Sequence, residues 1–295
     1  MKNPQCTVYQ DHFRNTCLSF PGISEMPIFQ TFEPANTLAL AHDHDYLLLT
    51  PEDNFLESIS VLNIRQDKHN LIEERTRDQS KNETWKVERS KPLTSSMFGW
   101  ICKATERTVD LVNLAKSLTQ IVDVKAASLE HGKKHEAVGI NRYMQDTGNT
   151  INPCGLVVSI DFLHTTSSPD GKVTNDLIIE VKCAFVSRDT PDNTTTSPFL
   201  RLDGNGKFYL DQVHNYFYQI QGQLLCTCAK ECILVICHAD NLIINDIKYV
   251  TVCRDDQFIK EMVVKLSKFY QEYFQPALLD KLFYRPYIAL WMNVK

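Results

Sequence analysis

Ser168-Pro169-Asp170-Gly171, followed after five residues by Leu177-Ile178-Ile179-Glu180-Val181-Lys182-Cys183, decides the fold. Proline presets φ and glycine permits positive φ, so the first run reads as a turn that presents Asp170. The second run is a strand in which side chains alternate between faces. Glu180 and Lys182 share one face, with Ile178 nearer the strand start, while Leu177, Ile179, Val181 and Cys183 share the other. An acid from a turn and an acid with a lysine at the end of a strand are the converging groups that a hard cation such as Mg²⁺ requires. Asp161, in a more loosely alternating run, competes with Asp170 for this role, and the turn context selects Asp170. Singly, each feature reads as a surface turn or a solvated cross-strand pair; their occurrence ten residues apart points to chemistry.

Working outward, residues 126–145 read as a helix whose apolar positions Ala126, Leu129, Ile140, Tyr143 and Met144 place Glu136 on the same stripe. A carboxylate there needs a cation or strong donors, since leaving it unpaired in a core costs several kcal/mol or forces protonation. A buried salt bridge answers that need as well as a metal does. Gly132, one turn earlier, would permit close helix–sheet approach. Upstream, Thr94-Ser95-Ser96 before Met97, Phe98, Trp100 and Ile101 looks like a helix N-terminus, where free backbone N–H groups favour an anion, and Arg89 lies just before it. Downstream, Val213, Phe217, Ile220 and Leu224 mark a helix on which Tyr216 and Gln219 share an adjoining face, with Gln221 pointing elsewhere.

These blocks, Trp85-Lys86-Val87-Glu88-Arg89 with Leu93-Thr94-Ser95-Ser96-Met97-Phe98-Gly99, then Gly132-Lys133-Lys134-His135-Glu136, SPDG, IEVKC and Tyr216-Phe217-Tyr218-Gln219-Ile220-Gln221-Gly222-Gln223-Leu224, occur in the order found in a known family. The chain resembles the lambda-exonuclease/YqaJ-type viral recombinase group of PD-(D/E)xK nucleases, over roughly Trp85 to Tyr270. The resemblance implies an α/β fold with a restriction-endonuclease-like core, a central mixed sheet of about four strands flanked by helices. It implies that Asp170, Glu180 and Glu136 hold metal together with the backbone carbonyl of Val181, and that Lys182 orients or activates the attacking water. It further implies that Arg89 and Ser96 take a terminal 5′-phosphate, that Arg188 contacts DNA, and that Tyr216 and Gln219 border the catalytic centre. The small residue three positions after Glu136 in the family is Gly139 here, a departure that costs about 1 kcal/mol in a helix interior.

The implied activity is Mg²⁺-dependent hydrolysis of DNA, with Mn²⁺ as alternative ion and two ions in the site, proceeding 5′→3′ from duplex ends in recombination or viral DNA processing. An endonuclease of the same fold and a non-enzymatic DNA-binding remnant are the competing readings. Double-stranded DNA ends and a single-strand annealing protein are the implied partners, and both monomers and homotrimers occur among relatives.

Composition is compatible with this. The 295 residues, 43% apolar and 23% charged, suffice for a sizeable core. No run of eighteen apolar residues occurs and the N-terminus lacks a signal-peptide pattern, which suggests an intracellular protein, nuclear if the host is eukaryotic. The ten cysteines then read as reduced thiols, and Cys226, Cys228, Cys232 and Cys237 lack the paired spacing of a zinc site. A net charge of −5 does not advertise a nucleic-acid binder, yet residues 81–135 carry ten Lys or Arg against six acids, enough for one basic wall.

The expected organisation is an N-terminal arm over 1–80, containing a helix between Pro51 and Arg77, and a nuclease domain over 81–295. His42-Asp43-His44-Asp45 in the arm reads as a surface turn. Within the domain the spacing predicts helices at 94–105, 109–122, 126–145, 211–229 and 256–275. Strands are predicted at 155–162, 176–183, 232–238 and 243–253, with a long structureless loop over 186–207.

Overall fold

The computed structural model describes residues 66–106, 110–120, 127–184, 198–240 and 243–284. The chain divides into two compact units, Met1–Ser58 and Ile59–Lys295, and every described residue belongs to the second. The arm before residue 66, its His42–Asp45 run, Arg188 and most of the predicted long loop lie outside the described residues.

The unit is α/β. In chain order its helices are α1 (Gln66–Arg75), α2 (Glu83–Arg89), α3 (Ser95–Glu106), α4 (Leu111–Thr119), α5 (Ala127–Thr147), α6 (Asn215–Thr227), α7 (Asp256–Phe269) and α8 (Gln275–Leu279). Its strands are β1 (Leu93–Thr94), β2 (Val157–Val158), β3 (Thr165–Ser167), β4 (Gly171–Lys172), β5 (Leu177–Ala184), β6 (Leu200–Leu202), β7 (Phe208–Leu210), β8 (Glu231–Asp240) and β9 (Ile243–Cys253).

The central sheet has the order β4-β5-β8-β9. It is mixed as expected: β5 and β8 run parallel, joined through α6, while β4 and β9 are antiparallel edges. Alternation along β5 assigns its two faces. Ile178 packs with Phe217, Ile220 and Leu224 of α6, whereas Ile179 and Val181 pack with Tyr143 of α5. Helices therefore cover both faces, as a sheet with two apolar faces demands.

The predicted helices are present with ends shifted by a few residues, and the caps explain several of the shifts. Asp110 caps α4 by accepting from the amide of Asn113, and Asp255 caps α7 through that of Phe258. The predicted α6 start at 211 moves to Asn215 because His214 is the N-cap; Val213, expected on the apolar stripe, is 70% exposed outside the helix. The strand expected at 155–162 shrinks to Val157–Val158, which joins β3 and β1 in a second small sheet of order β1-β3-β2. Two-residue strands such as β1 are too short to leave a period in sequence. The loop predicted over 186–207 contains β6, paired antiparallel with β7 across the turn at Asp203–Gly206.

A further departure concerns the cysteines. Cys183 and Cys237 are register partners on the parallel pair β5·β8 and form a disulfide, with Cα atoms 4.7 Å apart. The expectation of ten reduced thiols is thus corrected by a register that sequence alone does not display. Helix α1 and the residue after it are held to the segment before β2: Thr76 Oγ1 accepts from the amide of Leu156 at 2.8 Å and Glu73 Oε1 from that of Gly155 at 3.0 Å.

His164 illustrates how the small sheet is fastened to α7. Its ring lies 3.0 Å from Ser267 Oγ and stacks near Tyr270, and burial lowers its pKa to about 4. The unfolded chain therefore takes up this proton first as pH falls, so the contribution is present above about 6.5 and lost toward 4. Urea denaturation at pH 7 and 4.5 should show wild type losing on the order of 2 kcal/mol more than His164→Gln. Equal losses would show that His164 is not held neutral.

Candidate active site

The turn and the strand meet as the alternation requires. Asp170 precedes edge strand β4, and its amide donates to the carbonyl of Ile179 at 3.1 Å. Its Oδ2 accepts from the amide of Val181 at 2.6 Å, so the carboxylate is pinned to the strand that carries Glu180 and Lys182. Asp161 is exposed in a separate turn.

Glu180 is 2% exposed, and donors converge on it. Lys182 Nζ approaches Oε1 at 2.5 Å, Gln219 Nε2 reaches the same oxygen at 2.6 Å, and Gln223 Nε2 reaches Oε2 at 2.6 Å. Gln219 and Gln223 are one helical turn apart on α6, so one face presents both amides to the strand. The sequence reading singled out Gln219 and overlooked Gln223, although the four-residue spacing could have found it. Gln221 is structural: its amide nitrogen donates to the Cys253 carbonyl and its oxygen accepts from the Asp255 amide, both at 2.9 Å.

Lys182 also lies over the ring of Tyr216, 4.8 Å from its centre. Burial works against its charge, but Glu180 and Asp170 outweigh it, and the net effect holds Lys182 protonated well past the ordinary lysine range. The lysine is therefore a fixed cation in this arrangement; a lowered pKa, the other option for catalysis, is not what these neighbours produce. Asp170 shows the opposite strain. Burial first, then the charges of Glu180 and Glu136, push its pKa well above the usual carboxylate range, against the smaller pull of Lys182 and the Val181 amide. Glu136, half-buried on α5, is thus close enough for its charge to act on Asp170.

Helix α5 comes close because of Gly139. A Cβ at that position would lie 2.7 Å from Val181 Cγ1 and 3.3 Å from Cys237 Sγ, too near for either to remain where it is. The departure from the family pattern is therefore a packing requirement of this chain. For Gly132, to which close approach was first ascribed, side-chain surroundings lie outside the described residues.

A second group sits nearby. Arg89 stacks over Trp85 at 4.4 Å from the ring centre and donates to Ser96 Oγ at 3.3 Å; Ser96 in turn lies 3.1 Å from Thr94 Oγ1. Burial lowers the Arg89 pKa. Trp85 links this group to the turn that carries Asp170, since its Nε1 donates to Ser168 Oγ at 2.9 Å.

Carboxylate oxygens are the hard donors that Mg²⁺ or Mn²⁺ takes, and three carboxylates against Lys182 leave negative charge that a divalent cation would offset. The donor chemistry fits. As arranged, no three His, Cys, Asp or Glu side chains among the described residues surround one point, and the oxygens of Glu180 accept from Lys182, Gln219 and Gln223.

Residues 84–230 match the model of the YqaJ-like viral recombinase domain. No curated protein matches the chain. Among solved structures it is similar to an alkaline exonuclease (LHK-Exo) from Laribacter hongkongensis, at 23% identity with 71% of this chain and 100% of that chain covered and a TM-score of 0.49. It is also similar to a phage related exonuclease from Haemophilus somnus, at 15% identity, with coverages of 64% and 96% and a TM-score of 0.46. A SOX–DNA complex is similar at 12% identity, covering 71% of both chains with a TM-score of 0.49.

Proposed function

With residues 84–230 belonging to the YqaJ-like viral recombinase family, we propose that the chain is a divalent-metal-dependent DNA exonuclease that degrades duplex DNA from its ends in the 5′→3′ direction. The observation that carries this reading is the junction of two groups of opposite charge. Asp170, Glu180, Glu136 and Lys182 act on one another, and Trp85 ties their turn to a guanidinium and a hydroxyl suited to a phosphate.

In this reading Asp170, Glu180 and Glu136 hold Mg²⁺ or Mn²⁺, one ion or two, with the Val181 carbonyl as a neutral oxygen donor. The bound metal supplies an acidified water and offsets charge on the phosphodiester. Lys182 keeps a positive charge beside the reacting phosphate, and Tyr216 limits where its ammonium can move. Gln219 and Gln223 fix the orientation of Glu180. Arg89 and Ser96 seat the terminal phosphate and so choose the strand end. Arg188 would extend the DNA path, and a single-strand annealing partner and a monomeric or homotrimeric state belong to the same proposal. No described helix is long and apolar enough to cross a membrane.

Incubating linear and closed-circular duplex DNA with the protein, in Mg²⁺ or in EDTA, tests the reading. Linear DNA should be lost only with Mg²⁺ while circles persist. Efficient cutting of circles would replace the exonuclease by an endonuclease, and binding without cutting of either form would leave a non-enzymatic protein.

A further inference from the structure

Residue 79 stands five positions before the matched family segment begins, in a stretch where nothing in the sequence advertises a functional residue. Its backbone is left-handed, with φ +44°, at the start of a 3-10 turn over Gln79–Lys81. Glutamine gains nothing from that conformation, which costs of order 1 kcal/mol or more in residues other than glycine, asparagine or aspartate. Such a cost persists where the side chain is needed in that place. Here the single Nε2 of Gln79 donates to two main-chain carbonyls, those of Cys154 and Pro169, each at 2.9 Å. Both acceptor residues are buried.

Pro169 is the residue before Asp170. The Gln79 amide therefore holds one side of the catalytic turn, while Trp85 holds Ser168 and the amide of Val181 holds the Asp170 carboxylate. The other acceptor, Cys154, belongs to the segment to which α1 is fastened. Leu156 donates to Thr76, Gly155 donates to Glu73, and Glu73 is itself paired with Arg77 at 2.8 Å. Any Cβ on Gly155 would run into the carbonyl of Glu73, so the α1 end and residues 154–156 lie against each other without slack. Gln79 thus braces the turn from an anchored platform.

We propose that Gln79 is a positioning residue, whose bridging amide sets the place of Asp170 for the divalent cation. This rests on the reading of Asp170 as a metal ligand. Residues that orient metal ligands commonly change metal affinity or activity by 10–100-fold when replaced. Two substitutions separate this role from that of a plain turn. Gln79→Gly removes the amide but relieves the left-handed backbone, which offsets part of the stability lost with the two buried hydrogen bonds. Gln79→Glu keeps the length and the turn but turns the donor into an acceptor facing two carbonyl oxygens.

Isothermal titration calorimetry with Mg²⁺ and Mn²⁺ on the full chain, without DNA, is the primary measurement, with thermal denaturation in EDTA beside it. Gln79→Gly should bind metal about tenfold more weakly while still folding cooperatively, and Gln79→Glu should be weaker still. In DNA degradation, the metal concentration for half-maximal rate should rise in step, with the rate at saturating metal largely restored. Wild-type metal affinity in Gln79→Gly overturns the inference, and that variant carries the test where Gln79→Glu does not fold. A wild-type chain that binds metal while Gln79→Gly binds equally well sinks this inference alone. Wild type without metal binding sinks it together with the reading of Asp170.

Discussion

Asp170→Ala and Glu180→Ala should each lower metal-dependent degradation of linear duplex DNA by about 10³-fold or more, because each removes a charged oxygen donor at the point where phosphate charge must be offset. Asp170→Asn separates chemistry from folding. Its side-chain oxygen still accepts from the Val181 amide, but the charge that burial, Glu180 and Glu136 disfavour is gone. In EDTA this variant should therefore melt no lower than wild type while being inactive. Lys182→Ala should lose about 10²-fold in turnover with DNA affinity nearly kept. Gln223→Leu should act through Glu180 and weaken metal affinity by 10–100-fold. Near-normal turnover by folded Asp170→Ala and Glu180→Ala would remove the metal site from this place.

What the sequence disclosed of this centre follows from how local its signals are. The Pro169-Asp170-Gly171 turn and the alternation of Ile178 to Cys183 are short-range patterns, and both survive unchanged in the structure. Periodicity of 3.6 residues puts Glu136 on the stripe of α5 that also carries Tyr143, and its charge reaches Asp170. Gln79 was not readable in this way, since its role depends on carbonyls 75 and 90 positions away and on a backbone angle that no residue type there signals. The same applies to the Cys183–Cys237 bond, fixed by the parallel register across α6, and to β1, whose two residues pair with β3 from 72 positions downstream. Gly139 looked like a defect in a helix because its cost is local, whereas its benefit, the approach of α5 to Val181, is not.

A second large effect should appear at Arg89. Linear duplex bearing a 5′-phosphate should be degraded about thirtyfold faster than the same duplex with a 5′-hydroxyl. That corresponds to about 2 kcal/mol, the worth of a charge-assisted hydrogen bond made to one end group and not the other. Arg89→Ala should bring the ratio close to one while leaving slow degradation of both substrates. Arg89→Lys should restore it only in part, because an ammonium lacks the planar group that stacks on Trp85 while reaching Ser96. Both substrates must be compared at one salt concentration, since phosphate contacts weaken steeply as salt rises. The link from Trp85 to Ser168 adds a directional consequence: a phosphate seated at Arg89 meets the same tryptophan that braces the catalytic turn, so end binding and cleavage should weaken together in Trp85→Phe, which keeps a ring beneath the guanidinium but loses the indole donor. A preference for 3′ ends, or a phosphate ratio unchanged in Arg89→Ala, would detach this pocket from end selection.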